Sequence, residues 1–304
     1  MPSVSPSAAA PVAFAAQAAL EQARGRVEVC PLSPALGAEI RGVDLRQPID
    51  DETFQIIADA WRDHLVILFR DQAIDEEQQV RFAQRFGALQ GRPRPASMRA
   101  ETAVKHPEIM LVSNIRENGK PIGSLPDGEM QFHSDMCYIE KPAKGTFLYA
   151  MEIPSEGGDT HFLNMYAAYD SLPAEIKAKL EGRKAVNVFQ YGSTSRDGNN
   201  PNFDEHPHYT HPMVRLHPDS ERKALFINRL MTWSVEGMDK AESDKLLDEL
   251  FDHIEQPKFI YEHKWRVGDL LLWDNRCTLH ARTDFSDKER RLLRRCVIQG
   301  DKPY

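Results

Sequence analysis

The chain has 304 residues, of which 41% are hydrophobic and 28% charged, with a formal net charge of -8. That length supports a sizeable core in one elaborated domain or two, and the negative balance argues against nonspecific nucleic-acid or anionic-membrane partners. No apolar run approaches the roughly 20 residues that cross a bilayer. The four cysteines, Cys30, Cys137, Cys277 and Cys296, form neither a CxxC pair nor a dense framework, so reduced thiols in a cytoplasmic protein are expected.

Residues 1–25 have an alanine-rich stretch but no basic residue before Arg24. They lack the start of a secretory leader and read as a flexible tail running into a short helix, with a single domain over 26–304. From Arg26 to Leu45 apolar residues alternate with turn formers, which predicts short strands. Asp51 is the expected cap of a helix whose Phe54, Ile57, Ala58 and Trp61 fall at helical spacing. LVILF (65–69) predicts a buried strand, and DEEQQVRFAQRFG a second amphipathic helix ending at Gly87.

Residues 91–108 read as a loop, IMLVSN as a strand and ENGKPIGSLPDGE as a Gly/Pro-rich loop. FHSDMCYI follows, then a strand at GTFLYAMEIP, a helix at SLPAEIKAKLEG and a strand at KAVNVFQY. A long polar loop leads to HPMVRLHP, KALFIN, KFIYEHKW, GDLLLWDN and RRCVIQG, all read as short strands, with one helix near 240–253. Many short strands with few helices predict a mostly β protein with flanking helices, closed as a double-sheet, cupin-like jelly roll (a double-stranded β-helix).

FHSD carries the first chemical signal. His133 and Asp135 lie two apart, so in a strand they project to one face; alone the pair is either a hydrogen-bonded ornament or half of a metal site. WDNRCTLH puts His280 just beyond an apolar run and an Asp-Asn turn. Only a closed fold joins it to Asp135, and a jelly roll pairs early strands with late ones. Two imidazoles and a carboxylate on one side of an ion suit non-haem Fe(II), which activates dioxygen; zinc takes such ligands for hydrolysis. Near the C-terminus Arg291 and Arg295 share a strand face while Arg294 points the other way. Inward arginines need anions, either bound ligands or internal Asp and Glu.

FHSD with its preceding aromatic, PSEGGDT, HPMVRLHP, KALFIN, WDNRCTLH and the terminal R-x-x-x-R together resemble the Fe(II)/2-oxoglutarate dioxygenases of the taurine and 2,4-dichlorophenoxyacetate dioxygenase family. The likeness runs from about residue 27 to the end of the chain. It implies His133, Asp135 and His280 as iron ligands, and Thr160 with Arg291 as the grip on the distal carboxylate of 2-oxoglutarate. Arg295 falls at the position that holds the substrate's anion, and Trp273 and Asn275 at supporting positions.

The chain departs from the taurine-specific pattern. FGALQGRPRP offers Arg92 and Pro95 where the taurine enzymes carry a histidine and a tyrosine, and Glu129 and Gln131 stand where they carry asparagines. Glu129, Arg92 and Arg94 are therefore candidate contacts to a different small anionic organic substrate. The implied reaction consumes dioxygen and 2-oxoglutarate, releases succinate and carbon dioxide, and hydroxylates the substrate, with bond cleavage when the carbon bears oxygen or sulfur. A homo-oligomer is expected.

Two rivals differ in class. A metal-dependent hydrolase would use Glu129 as base and leave the arginine pair without a task; a cupin-like binding protein would need none of these side chains. His206, His208 and His211 crowd a loop and read as turn or cap residues, not as a second metal site.

Overall fold

The computed structural model describes residues 23, 25–91, 104–125, 128–190, 193–194 and 201–304. The chain is mostly β. A seven-stranded sheet runs in the order Glu28–Pro31, Ala38–Arg41, Val66–Phe69, Leu270–Asp274, Gly145–Glu152, Leu292–Ile298, Met110–Ser113, and a four-stranded sheet in the order Ile260–His263, Thr160–Asn164, Thr278–Arg282, Met130–His133. A three-stranded sheet (His208–Pro212, Lys184–Val188, Thr232–Val235) and the strand pair Val214–Leu216 with Lys223–Leu225 flank them.

Alternation along the strands decides what packs where. Leu148, Leu271 and Leu293 from the large sheet share one buried cluster with Phe162, Leu163 and Leu279 from the four-stranded sheet. Their neighbours Phe147, Tyr149, Leu270, Leu272 and Cys296 point the other way. There the helices Asp51–His64 and Glu76–Gln84 lay Ile57, Trp61 and Phe82 against them, joined by Phe86 from the turn after the second helix. The run LLLW is continuous because its strand is buried on both faces. The outer cluster is rich in edge-to-face aromatic pairs: Phe147 meets Phe82 at 5.7 Å and Phe86 at 5.5 Å.

Several sequence readings shift by a residue or an element. The first helix is capped by Asp50, not Asp51: Asp50 is extended and its carboxylate accepts from the Thr53 N–H at 2.7 Å, which leaves Asp51 as the first helical residue. Asp75 caps the second helix in a reciprocal box with Gln78. Leu65 belongs to the helix end, with φ 66, so the buried strand begins at Val66. ENGKP is not all loop. Asn118 and Gly119 both take positive φ, the backbone of a two-residue turn, and close a hairpin between Arg116–Glu117 and Lys120–Pro121.

The helix Met165–Asp170 and the strand Thr232–Val235 escaped the sequence reading because each is only a turn or a few residues long. Ala23 is fully buried and its carbonyl accepts from the N–H groups of Arg26 and Val27. Among the described residues no helix is long and apolar enough to cross a membrane.

Phe147 is fully buried between the large sheet and the two N-terminal helices. Phe147→Ala should lower unfolding stability by about 3–5 kcal/mol in a denaturant melt, the range for deleting a core aromatic ring.

Candidate metal centre

The strands Met130–His133 and Thr278–Arg282 pair antiparallel with His133 directly opposite His280. Cross-strand partners share a face, and the two rings lie 4.1 Å apart between centroids. His133 Nδ1 donates to the Gln131 carbonyl at 3.0 Å, which fixes the tautomer and leaves Nε2 bare. His280 packs on the Trp273 indole at 4.8 Å. Burial lowers the proton affinity of both imidazoles, and His280, also pushed by His133, falls to about 3. Both rings are neutral at physiological pH, the form a metal requires.

Asp135 reaches the same point by a different route from the one its spacing suggests. The strand stops at His133, and Asp135 begins a turn in which Met136 takes φ 60. Asn275 does the positioning. Its side-chain oxygen accepts from the Asp135 N–H at 3.3 Å, and its carbonyl accepts from the Ser134 hydroxyl at 2.9 Å. A directed chain of hydrogen bonds then runs to the carboxylate. The Trp273 indole N–H donates to Asn275 at 3.0 Å, the Asn275 amide donates to Thr146 at 2.9 Å, and the Thr146 hydroxyl donates to Asp135 Oδ2 at 2.6 Å.

Asp135 Oδ1 is thereby turned toward His280 Nε2, 3.9 Å away, and toward Arg295, whose Nη2 lies at 2.6 Å. Burial alone would raise this carboxyl, but Arg295 and the histidines outweigh it and hold it well below the usual carboxylate range. The ligating atoms of His133, Asp135 and His280 all lie within 4.8 Å of one another. Two nitrogens and one carboxylate oxygen on one side, with no thiolate, fit a ferrous ion with open positions opposite. Arg295 supplies the cation that Asp135 faces in this structure, so a bound dication would displace it.

A second convergent group, His217, Asp274 and Cys277, is saturated without a metal. His217 Nε2 pairs with Asp274 at 3.0 Å, and its Nδ1 accepts from the N–H groups of Asp219 and Ser220 at 3.2 Å. Asp274 is forked by Arg276 at 2.6 and 2.9 Å, and burial pushes the Cys277 thiol well up. No donor is left over.

Arg291 contacts the glycine turn that leads into the strand begun by Thr160. Thr160 opens its strand, opposite Arg282 on one side and His263 on the other. Arg291 is 1% exposed, donates to the Gly158 carbonyl at 3.1 and 3.3 Å, and has a buried Nη1 with no hydrogen-bond partner. Burial lowers the guanidinium to about 9, with Arg282 pushing the same way, so it stays charged at neutral pH. A buried cationic N–H without an acceptor calls for an anion. The two preceding glycines make room for it. Both have positive φ; a Cβ at Gly157 would meet the Asp284 carbonyl oxygen at 2.2 Å, and one at Gly158 would press on Arg291 Nε at 3.1 Å.

The arginines divide as their alternation predicts, but with different partners. Arg295 satisfies itself on an internal carboxylate; among the described residues Arg291 has no ion pair. Arg294 points to the opposite face, where it is also buried, donating to the Ile74 carbonyl and lying 4.6 Å over the Tyr149 ring. Sequence reading missed Arg282. It stands two residues after His280 and so on the same face, and its guanidinium and that of Arg291 lie 5.8 and 5.9 Å from the same Phe285 ring. That His-x-Arg spacing was the available signal. Asn275 and Trp273 support Asp135 as the sequence suggested; Thr146 gave no signal.

Glu129 is exposed, one residue before its strand, and outside the convergent group. Arg92 and Arg94 lie outside the described residues. Beside Arg295, the side chains of Gln90, Glu108, Met110, Met136 and Val297 line a concavity. Among the described residues the loop histidines do not converge: His208 Nδ1 bonds the His206 carbonyl, and buried His211 bonds the Ile139 carbonyl at 2.8 Å.

The sequence pattern of the family described as "Taurine catabolism dioxygenase TauD, TfdA family" matches residues 28–297. The chain is 34% identical to an alpha-ketoglutarate-dependent 2,4-dichlorophenoxyacetate dioxygenase of Cupriavidus pinatubonensis, across 89% of this chain and 97% of that one. It is 33% identical to an (S)-phenoxypropionate/alpha-ketoglutarate-dioxygenase of Sphingobium herbicidovorans, across 90% and 95%. Among solved structures, AAD-2 in complex with Mn(II) and N-oxalylglycine superposes with a TM-score of 0.75 at 29% identity, covering 91% of this chain and 98% of that one.

Thr146→Val removes the donor that fixes Asp135 Oδ2 and leaves the ligating oxygens in place. Anaerobic titration should show Fe(II) affinity reduced by about 10–100-fold, the usual cost of losing a group that orients a metal ligand.

Proposed function

Since the chain belongs to the TauD/TfdA family and is an Fe(II)- and 2-oxoglutarate-dependent dioxygenase, we propose that His133, Asp135 and His280 hold its iron, Thr160 and Arg291 its 2-oxo acid, and Arg295 a small organic anion that it hydroxylates. The carrying observation is Arg291: a fully buried guanidinium with an unpartnered N–H, four residues before the arginine that touches Asp135. A hydrolase has no use for it, and that rival's nominated base, Glu129, is exposed.

When bound, the iron couples the oxidative decarboxylation of 2-oxoglutarate by dioxygen to hydroxylation of the substrate, yielding succinate and carbon dioxide. The residues supply position and water exclusion. His133 and His280 arrive deprotonated, so loading displaces no imidazole proton. Thr146 and Asn275 hold Asp135 from behind and keep Oδ1 aimed forward. Arg291 and Thr160 take the distal carboxylate, which sets the orientation of the oxo acid.

Arg295 links the two halves. Once Asp135 serves the metal, the guanidinium loses its counter-charge at the edge of the apolar concavity. A substrate carboxylate, sulfonate or sulfate replaces it, while Met110, Met136 and Val297 receive the organic body. Substrates of the relatives' kind, aryloxyalkanoates in particular, meet that description. Hydroxylation beside an ether oxygen would give a hemiacetal that collapses with C–O cleavage. Glu129 and Arg92 are further substrate contacts in this reading. The two packed sheets close as a jelly roll, and the enzyme works as a cytoplasmic homo-oligomer with its four cysteines reduced; all four are free in the structure.

A panel of aryloxyalkanoates, sulfonates and alkyl sulfates, scored for substrate-dependent succinate release, tests the substrate class; release by none of the three refutes an anionic substrate. Fe(II) with 2-oxoglutarate under anaerobic conditions should give a weak visible charge-transfer band, and His133→Ala should abolish both band and succinate. Arg291→Gln should raise the half-saturating 2-oxoglutarate concentration roughly 30-fold or more, as expected when a buried charge loses its partner.

A further inference from the structure

A threonine hydroxyl carries one proton and two lone pairs and rotates to suit its neighbours. To serve a carboxylate, Thr160 must donate, and nothing in the residue itself compels that. Its partner does. The indole Nε1–H of Trp265 lies 3.0 Å from Thr160 Oγ1, and both side chains are buried. Indole nitrogen is a donor only, so it occupies a lone pair of the hydroxyl and cannot take its proton. Among the described residues no acceptor takes that proton either.

The indole is itself held in place. Trp265 packs edge-on against His263, with 4.7 Å between ring centroids and an interplanar angle of 88°. His263 is fully buried; the Tyr261 hydroxyl bonds its Nδ1 at 3.0 Å, and the Asp269 carboxylate lies 3.2 Å from its Nε2. Asp269 is fixed in turn by Arg70 at 2.6 Å and by the Arg266 N–H at 2.9 Å. His263 is also the register partner of Thr160, and Trp265 follows two residues after that strand ends.

We propose that Trp265 is a positioning residue for the 2-oxo acid: its N–H locks the Thr160 hydroxyl so that the proton is presented to the distal carboxylate beside Arg291. The polarisation runs in the useful direction, because a hydroxyl that accepts from one group is a stronger donor to the next. The role rests on the reading that Thr160 and Arg291 form the co-substrate pole.

The test uses the full chain with Fe(II) under anaerobic conditions, following the visible band as 2-oxoglutarate is added. Trp265→Phe keeps a ring and removes the N–H; it should weaken 2-oxoglutarate binding roughly tenfold, the scale of a hydrogen bond to a charged group lost in a buried site. Fe(II) affinity without the oxo acid should stay within about twofold of wild type, and so should the affinity for 2-oxobutyrate, which has no distal carboxylate. In a Thr160→Val background, Trp265→Phe should add nothing further. Trp265→His, which restores a ring N–H, should recover part of the loss and also serves if Trp265→Phe does not fold.

Weaker 2-oxoglutarate binding in Thr160→Val but not in Trp265→Phe would overturn the positioning role alone. No change in Thr160→Val would remove the co-substrate pole itself. Equal losses for 2-oxobutyrate and 2-oxoglutarate in Trp265→Phe, or equal losses in the Phe and His variants, would mean general collapse of the pocket, and the role falls.

Discussion

A buried carboxylate is unstable unless something positive faces it, and among the described residues Arg295 is the cation in contact with Asp135. The rest of the centre follows from how that carboxylate is managed. One oxygen is saturated from behind by Thr146, itself the end of a hydrogen-bond chain anchored on Trp273 in the middle of the large sheet. The other is left to look forward. Charged groups kept in a low-dielectric interior are held there by partners, and here that partner is the Arg295 guanidinium.

The same economy governs the positive groups. Arg291 and Arg282 lie against one Phe285 ring, and burial first, then Arg282, lowers the proton affinity of Arg291. Arg294, one residue from Arg295, escapes the problem by pointing into carbonyl and aromatic surroundings on the far face of the sheet. On the strand Leu292–Ile298, Arg295 faces the site and Arg294 the outer face, while Arg291 stands one residue before the strand begins.

Around these side chains the large and small sheets share a core, and the aromatic layer of Phe82, Phe86 and Phe147 fixes the helices to the outside. Packing at that density resists displacement, so His133 and His280, carried on directly paired strands, keep their separation. Asp135, on a turn, relies instead on side-chain bonds to Asn275 and Thr146.

By itself the sequence determined the family and hence the chemistry: FHSD, WDNRCTLH and the two spaced arginines carry the imidazoles, carboxylate and guanidiniums from which the proposed site is built. It also determined which strands are buried on both faces and which helices are amphipathic, since hydrophobic period is local information. It misled on Asp135, where a two-residue spacing looked like strand geometry; the strand ends one turn early, and contacts to residues far along the chain bring the carboxylate into line. Thr146 and Trp265 carried no local signal, and Arg295 became a partner of Asp135 only when distant strands met. Such pairings depend on sheet order and register, which arise from long-range contacts that no short stretch encodes.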